Sequence, residues 1–391
     1  MKLQVVLAGA VLSLSLFAAD RDTIPLSRQT SPPTGNSIVS SPPKKTEPIE
    51  PGAAAASGEE EKPYVASLET YGSSRINEVI LREALGSDLT AWLEKGLQGD
   101  PGSVQMEQKL ADRIKQKFGF PVAEWSVIQY FEPGDMAIHI TLDVVEKDDV
   151  KKRMAFQSAP TGEFKDPGDL IKQWQEYEET ALQMVESGQL QPEADECTAF
   201  HCPFGHKHPK LKKFEKIFVD GVNKYGKELL DIQAKDKRPE YRASACYLLA
   251  YLKDGKKVVN AEVDRITDPE PAVRNNALRV LGDIAEFHQE FVIPIKPILA
   301  AFQYPRVSDR SKAVYLAYLL SLNSQGVREE LIKTSIPALI HLMASKQPDH
   351  REISHAILRK ISGREYAATD ALAWNNWFNR LNGKSKEISK K

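Results

Sequence analysis

The sequence of 391 residues lacks several features that would place it in a common functional class. Its formal net charge is only −2, from 52 basic and 54 acidic side chains. A nucleic-acid-binding protein needs a basic surface to displace counterions from phosphates, so this balance argues against nucleic acid as a partner. The sequence also contains no Gly-x-Ser-x-Gly, Walker, His-Glu-x-x-His or Gly-x-Gly-x-x-Gly motif. We therefore expect no enzyme of those classes.

Cysteine is scarce and occurs late in the chain. The three cysteines are Cys197, Cys202 and Cys246, so no lipobox cysteine follows the N-terminal segment. Cys246 lies on an apolar helical stripe and is predicted to be buried. The chain has no Asn-x-Ser/Thr sequon and, after its N-terminal segment, no apolar run long enough to span a membrane.

Residues 1–19 have the pattern of a secretory signal peptide. Lys2 supplies a positive charge, residues 3–17 are mostly apolar, and two alanines precede Asp20. We therefore expect export to the periplasm or secretion, with an uncleaved N-terminal anchor as the alternative. Residues 20–62 contain seven prolines among serine, threonine and glycine. This composition predicts a disordered linker.

Residues 63–150 are predicted to form a small α+β domain. Apolar residues recur at helical spacing over 76–97 and 106–118, and β-patterned segments follow at 124–131 and 136–145. The order, β-α-α-β-β with a closing hairpin, resembles a POTRA-like module. That resemblance implies contact with other chains by strand addition at an exposed sheet edge. A small α+β domain of another family is the alternative.

Residues 151–206 are predicted to connect the two halves of the chain through a helix and a loop. Five metal or thiol ligands fall within twelve residues of that loop: Cys197, His201, Cys202, His206 and His208. In an exported protein Cys197 and Cys202 can form a disulfide. Alternatively, both cysteines with His206 and His208 could hold a zinc ion. A thioredoxin-like redox motif is disfavoured because the spacing is not Cys-x-x-Cys.

Residues 207–380 repeat a helical pattern. The clearest unit, residues 266–285, carries Asp-Pro, then Val-Arg, then a helix with an Ala and Leu stripe. Weaker copies surround it, and the small alanines that mark the units, at 245, 277, 313 and 356, lie 32, 36 and 43 residues apart. This pattern resembles the HEAT repeat of bacterial HEAT-like proteins, which implies a solenoid of paired helices.

The HEAT resemblance assigns roles to particular residues. It implies that Asp268 and Arg274 link successive repeats. The polar Asn275 and Asn276 beside them are candidates for contacts with a partner, or ordinary solvent-facing residues. Three aromatic residues near the end are predicted to cap the array or, alternatively, to form a binding patch: Trp374, Trp377 and Phe378. Residues 381–391 are predicted to be a basic tail.

Together these patterns predict an α+β N-terminal domain followed by an all-α, HEAT-type α-solenoid. The predicted function is a non-enzymatic scaffold, exported from the cytoplasm, that binds a protein partner in the cell envelope and needs no cofactor. The alternative is a metal-dependent or redox protein that uses the cluster between Cys197 and His208.

Overall fold

The computed structural model describes residues 62–132, 135–190 and 197–388. The predicted signal peptide, nearly all of the linker, the tip of the predicted hairpin and the last residues of the basic tail lie outside the described residues. Within the described part, a small three-stranded sheet comes first and helices follow to the end, in agreement with the predicted order of an α+β part and an all-helical part.

The sheet unit is built from three strands and three helices. In chain order these are β1 (Lys62–Tyr71), α1 (Glu78–Leu85), α2 (Ser87–Leu97), α3 (Gly102–Phe118), β2 (Val122–Glu132) and β3 (Asp135–Val145). The strand order is β1-β3-β2, with β1 parallel and β2 antiparallel to β3. The single helix predicted over 76–97 is two helices, because Gly86 takes a positive φ of 56° that ends α1.

The two faces of the sheet have different partners. On one face, Ile138, Ile140 and Leu142 of β3 join the core formed with α1, α2 and α3. On the other face, Thr141 and Asp143 are completely buried, because the helical part of the chain covers them. The alternating pattern of β3 therefore has both of its sides in contact with protein.

A connecting segment leads from the sheet back along the helical part. It comprises α4 (Val150–Arg153), an extended stretch and α5 (Leu170–Glu186). Backbone amides of the extended stretch donate hydrogen bonds to carbonyl oxygens at or just after the ends of two helices. The Gln157 amide donates to the Thr267 carbonyl oxygen (2.7 Å), and the Gly162 amide donates to the Lys235 carbonyl oxygen (3.0 Å). The segment thus ties the sheet to the far end of the helical part.

The remaining described helices follow one another with short turns. They are α6 (Pro209–Lys235), α7 (Pro239–Leu249), α8 (Gly255–Arg265), α9 (Pro271–Phe287), α10 (Ile295–Ala301), α11 (Val307–Asn323), α12 (Gln325–Thr334), α13 (Ile336–Met343), α14 (Pro348–Ser362) and α15 (Ala371–Ile388). Four of these helices, α6, α7, α9 and α14, begin at a proline, which is tolerated in the first turn because its missing N–H has no helical partner there.

Helices α7, α9, α11 and α14 pack against one another in chain order, and each also packs against the helix before it. One continuous apolar core runs through the helical part, from α5 to Trp377. None of the described helices is both long and apolar enough to cross a membrane.

The predicted cap aromatics lie at the end of this core. Trp374 is fully buried, with its ring edge-on to Tyr366 and its indole N–H donating to the Ala367 carbonyl oxygen (3.1 Å). Trp377 is buried, and Phe378 packs against the same core. These side chains cover the last helices, and the two tryptophans leave little aromatic surface exposed.

Candidate functional site

The two residues predicted to link repeats lie in neighbouring buried ion pairs. Asp268 accepts hydrogen bonds from both Nε (3.0 Å) and Nη2 (2.8 Å) of Arg242 on α7. Arg274, on α9, donates from Nε (3.0 Å) and Nη2 (2.7 Å) to Asp309 of α11. The first pair joins α7 to the turn before α9, and the second joins α9 to the first turn of α11.

The same arginine geometry recurs three times. Arg242, Arg274 and Arg310 each lie three residues before a marker alanine. In each case Nη1 donates to the carbonyl oxygen six residues earlier, at 2.9, 2.9 and 2.7 Å. We call these three side chains the arginine ladder. Their recurrence places the three helices in equivalent local surroundings.

The third arginine of the ladder, Arg310, pairs with a carboxylate of the sheet. Arg310 Nη1 donates to Asp143 of β3 (2.6 Å), and both side chains are completely buried. The fourth repeat offers no equivalent arginine, because Ile353 stands three residues before its alanine. There, Gln347 donates to Thr141 of β3 (2.9 Å) instead. The sheet therefore occupies the position at which the ladder ends.

Aromatic stacking reinforces this junction. The ring of Tyr71, at the end of β1, lies between the His341 ring (4.7 Å between centroids) and the Arg310 guanidinium (3.9 Å from the centroid). Burial raises the pKa of Asp143 to about 6, while the Arg310 guanidinium acts in the opposite direction. The ion pair with Arg310 thus favours the ionised carboxyl against the effect of burial.

The prediction that Asn275 and Asn276 lie at an exposed surface is wrong. They are only 8% and 6% exposed. Asn276 Nδ2 donates to the Ala243 carbonyl oxygen of α7 (3.0 Å). Helix α9 packs between α7, α8 and α11, so positions that look polar and outward in the sequence face neighbouring helices. The Asn276 amide thus joins α9 to α7.

Exposed apolar side chains occur instead at the C-terminal ends of α9 and α11. Phe287 is 66% exposed, Val292 is 89% exposed and Leu322 is 37% exposed. The two helix ends are held together by hydrogen bonds from Tyr315 to Glu286 and from Asn323 to Gln289, both 3.0 Å. We call Phe287, Val292 and Leu322 the apolar end patch. Single exposed apolar residues are ordinary, but a group of them at one place often marks an interaction surface.

The cysteine and histidine loop contains a disulfide. The Sγ atoms of Cys197 and Cys202 are 2.08 Å apart. The histidines have separate partners: His206 contacts Tyr251 (Nε2 to Oη, 2.6 Å), and His208 accepts from the Lys210 amide at the start of α6 (3.2 Å). In the part of the chain that the structure describes, no group of three or more histidine, cysteine or acidic side chains is arranged to hold a metal ion. The four ligands proposed for zinc are thus not brought together.

The third cysteine belongs to a buried polar cluster. Cys246 is completely buried, as predicted, and lies beside Gln233, whose Nε2 also donates to Glu262 (2.7 Å). Burial raises the pKa of Glu262 to about 8, and hydrogen bonds with Cys246 and Gln233, together with the nearby Arg265, only partly offset this effect. The folded chain therefore keeps a proton on a carboxyl that would be ionised in water.

This proton contributes to the pH dependence of stability, and Glu262→Gln is expected to remove that contribution. The folded state holds the proton up to about pH 8, whereas the unfolded chain releases it near the ordinary value of 4.5. Between those values the free energy of unfolding falls as pH rises, by up to about 1.4 kcal/mol per pH unit. Urea unfolding across this range measures the slope, with Glu240→Gln, at an exposed carboxylate on α7, as the control. An unchanged slope in the Glu262 variant would contradict the assignment.

Comparison with known proteins does not assign the chain to a family. No protein-family model matches the chain. A search of the curated proteins likewise gave no match.

Proposed function

We propose that this protein is an exported, non-enzymatic scaffold that binds a protein partner in the cell envelope, and that its helical part is a HEAT-type solenoid. The observation that carries the proposal is the arginine ladder. Three buried arginines at 32- and 36-residue intervals each bind the carbonyl oxygen six residues earlier, and the first two also bind a carboxylate at or just before the start of the next long helix. Such recurring contacts support a stack of like units. A stack of this kind offers a long surface for a protein partner.

The apolar end patch supports a position for that partner. It comprises the end of α9, the turn after it and the end of α11, and its members are the most exposed large apolar side chains of these three segments. Burying Phe287 against a partner would contribute through its apolar area, about 25 cal/mol per Å² removed from water. The buried Asn275 and Asn276 cannot make such a contact.

The sheet supports a second contact, in line with the resemblance to a POTRA-like module. The edge at β1 is poorly suited to strand addition, because it is irregular between Val65 and Ser67 and because Lys346 Nζ donates to the Leu68 carbonyl oxygen (3.1 Å). The edge at β2 borders a cleft of about 260 Å³. Glu107, Lys115 and Arg306 are among the residues that line this cleft. It offers charges of both signs to an extended chain.

Site-specific photocrosslinking in intact cells tests the scaffold proposal. A crosslinking residue at 287 or 292 is expected to capture one and the same envelope protein. The control is position 372, because Leu372 is equally exposed (72%) but lies on α15. Phe287→Asp is expected to weaken binding of the captured protein about tenfold or more, since a charge replaces a buried anchor. Equal capture at all three positions, or unchanged binding by the aspartate variant, would contradict the proposal.

Export is tested separately. Cleavage after Ala19 in a mature envelope fraction, read by N-terminal sequencing, is the expected result. Retention of the full chain in the cytoplasm would overturn this part of the proposal without affecting the fold.

A further inference from the structure

We infer that the Cys197–Cys202 disulfide is a thiol–disulfide exchange site, which a dithiol reductant opens and re-forms while the chain stays folded. The two sulfurs lie in different surroundings. Cys197 is exposed, whereas Cys202 is half-buried and packs against the main core. An incoming thiolate can therefore approach Cys197 from solvent, and Cys202 becomes the leaving sulfur.

A buried hydroxyl lies beside that leaving sulfur. The Tyr251 Oη is 3.8 Å from Cys202 Sγ and 2.6 Å from His206 Nε2. His206 Nδ1 lies 3.5 Å from the Leu211 carbonyl oxygen, and in the neutral tautomer that donates to this oxygen Nε2 accepts from the Tyr251 hydroxyl. Tyr251 and His206 are only 4% and 5% exposed. Burial raises the pKa of Tyr251 well above its usual range, so the hydroxyl retains its proton.

This arrangement favours departure of Cys202. The thiolate of the dithiol attacks Cys197 Sγ, and the electron pair of the S–S bond passes to Cys202 Sγ. The Tyr251 hydroxyl, held between sulfur and imidazole, turns to donate a hydrogen bond to the new thiolate, which then takes up a proton. The second thiol of the reductant attacks the mixed disulfide and releases Cys197 as a thiol. One protein disulfide and one dithiol thus become one protein dithiol and one disulfide.

The loop does not depend on the disulfide for its position. The Phe200 amide donates to the Ala250 carbonyl oxygen (3.0 Å), and the Phe200 ring packs edge-on against Phe291. His201 Nδ1 lies 2.6 Å from Asp283 of α9. Farther on, the Tyr177 hydroxyl donates to the Gly205 carbonyl oxygen (3.0 Å). These contacts hold Cys202 and the loop around it in place after reduction, and the reverse exchange with the oxidised, disulfide form of the reductant re-forms the bond.

The test measures reduction of the folded, full-length chain by dithiothreitol, with free thiols trapped by iodoacetamide and located by mass spectrometry. Cys197 and Cys202 are expected to become labelled while the buried Cys246 stays unlabelled, which shows that the chain remains folded. Tyr251→Phe keeps the ring and removes the hydroxyl. It is expected to slow reduction by about tenfold, since the hydrogen bond to the departing thiolate is lost. Tyr247→Phe, another buried tyrosine four residues earlier, is the matched control and is expected to react like the unmodified chain.

Two results would overturn the inference. One is a disulfide that is reduced only together with labelling of Cys246, which would make it a purely structural link. The other is equal reduction rates for the Tyr251 and Tyr247 variants, which would remove the hydroxyl from the reaction. Both readouts are independent of any protein partner.

Discussion

Asp143→Ala is expected to lower the free energy of unfolding by about 3–5 kcal/mol, because it leaves the buried Arg310 guanidinium without a counter-charge. Both side chains are fully buried and their atoms are 2.6 Å apart. Ser126 of β2 also donates to Asp143 (3.3 Å) and would lose its acceptor. The loss should affect the helices as well as the sheet, because Arg310 also binds the Tyr304 carbonyl oxygen (2.7 Å).

The matched control is Glu146→Ala, just after β3. Glu146 also pairs with an arginine, Arg75, but the two side chains are 27% and 50% exposed. Solvent screens such a pair, so only a small part of the Asp143 effect is expected. Chemical unfolding followed both by tryptophan fluorescence and by helical circular dichroism measures the two variants. If the Asp143 variant lost no more stability than the control, the buried pair would not join the two parts of the chain.

Trp374→Ala is expected to destabilise the last helices by about 3–5 kcal/mol, the range for removing a buried tryptophan or phenylalanine side chain. The ring is completely buried between Trp377, Tyr366 and His355. Its removal leaves a cavity and exposes the apolar end of the core to water. A stack of helices depends on such a cover at its end, because the outermost helix has no further neighbour.

Leu372→Ala provides the control on the same helix, since Leu372 is 72% exposed. Hydrogen exchange by mass spectrometry is expected to show faster exchange in α13, α14 and α15 of the Trp374 variant and little change near α7. Uniform loss of protection, or none, would contradict a capping role. An aromatic binding patch would predict lost binding with unchanged protection.

The sequence predicts the helices well because their apolar residues repeat at three- and four-residue spacing and prolines mark several of their starts. It predicts less about which polar residues are buried. Asp143 alternates with apolar residues, a pattern that identifies a strand but not a partner 167 residues away. The predicted exposure of Asn275 and Asn276 is wrong for a related reason, because spacing does not show that a polar position faces a neighbouring helix. The Asn276 amide is accepted there by the Ala243 carbonyl oxygen.

The candidate sites show the same limit. Asp268 and Arg274 are identified as candidates from a local pattern that resembles the HEAT repeat. In the structure both side chains lie in buried ion pairs. The choice between disulfide and metal for the loop at Cys197 depends on where His206 and His208 point, which spacing alone does not determine. The apolar end patch carries no local signal, because an exposed phenylalanine at a helix end looks like a core residue until neighbouring helices are in place.

The polar face of the sheet is covered by helices that come much later in the chain, and this has a consequence for folding. The sheet is made first during synthesis, yet the residues that cover its polar face, such as Arg310 and Gln347, are made last. The sheet therefore cannot bury Asp143 until almost the whole polypeptide has been made. We expect folding to be slow and to finish in a single late step, since contacts distant along the chain are costly to close. Such a protein would reach its final form only after complete translation, and after complete passage through any membrane that it crosses.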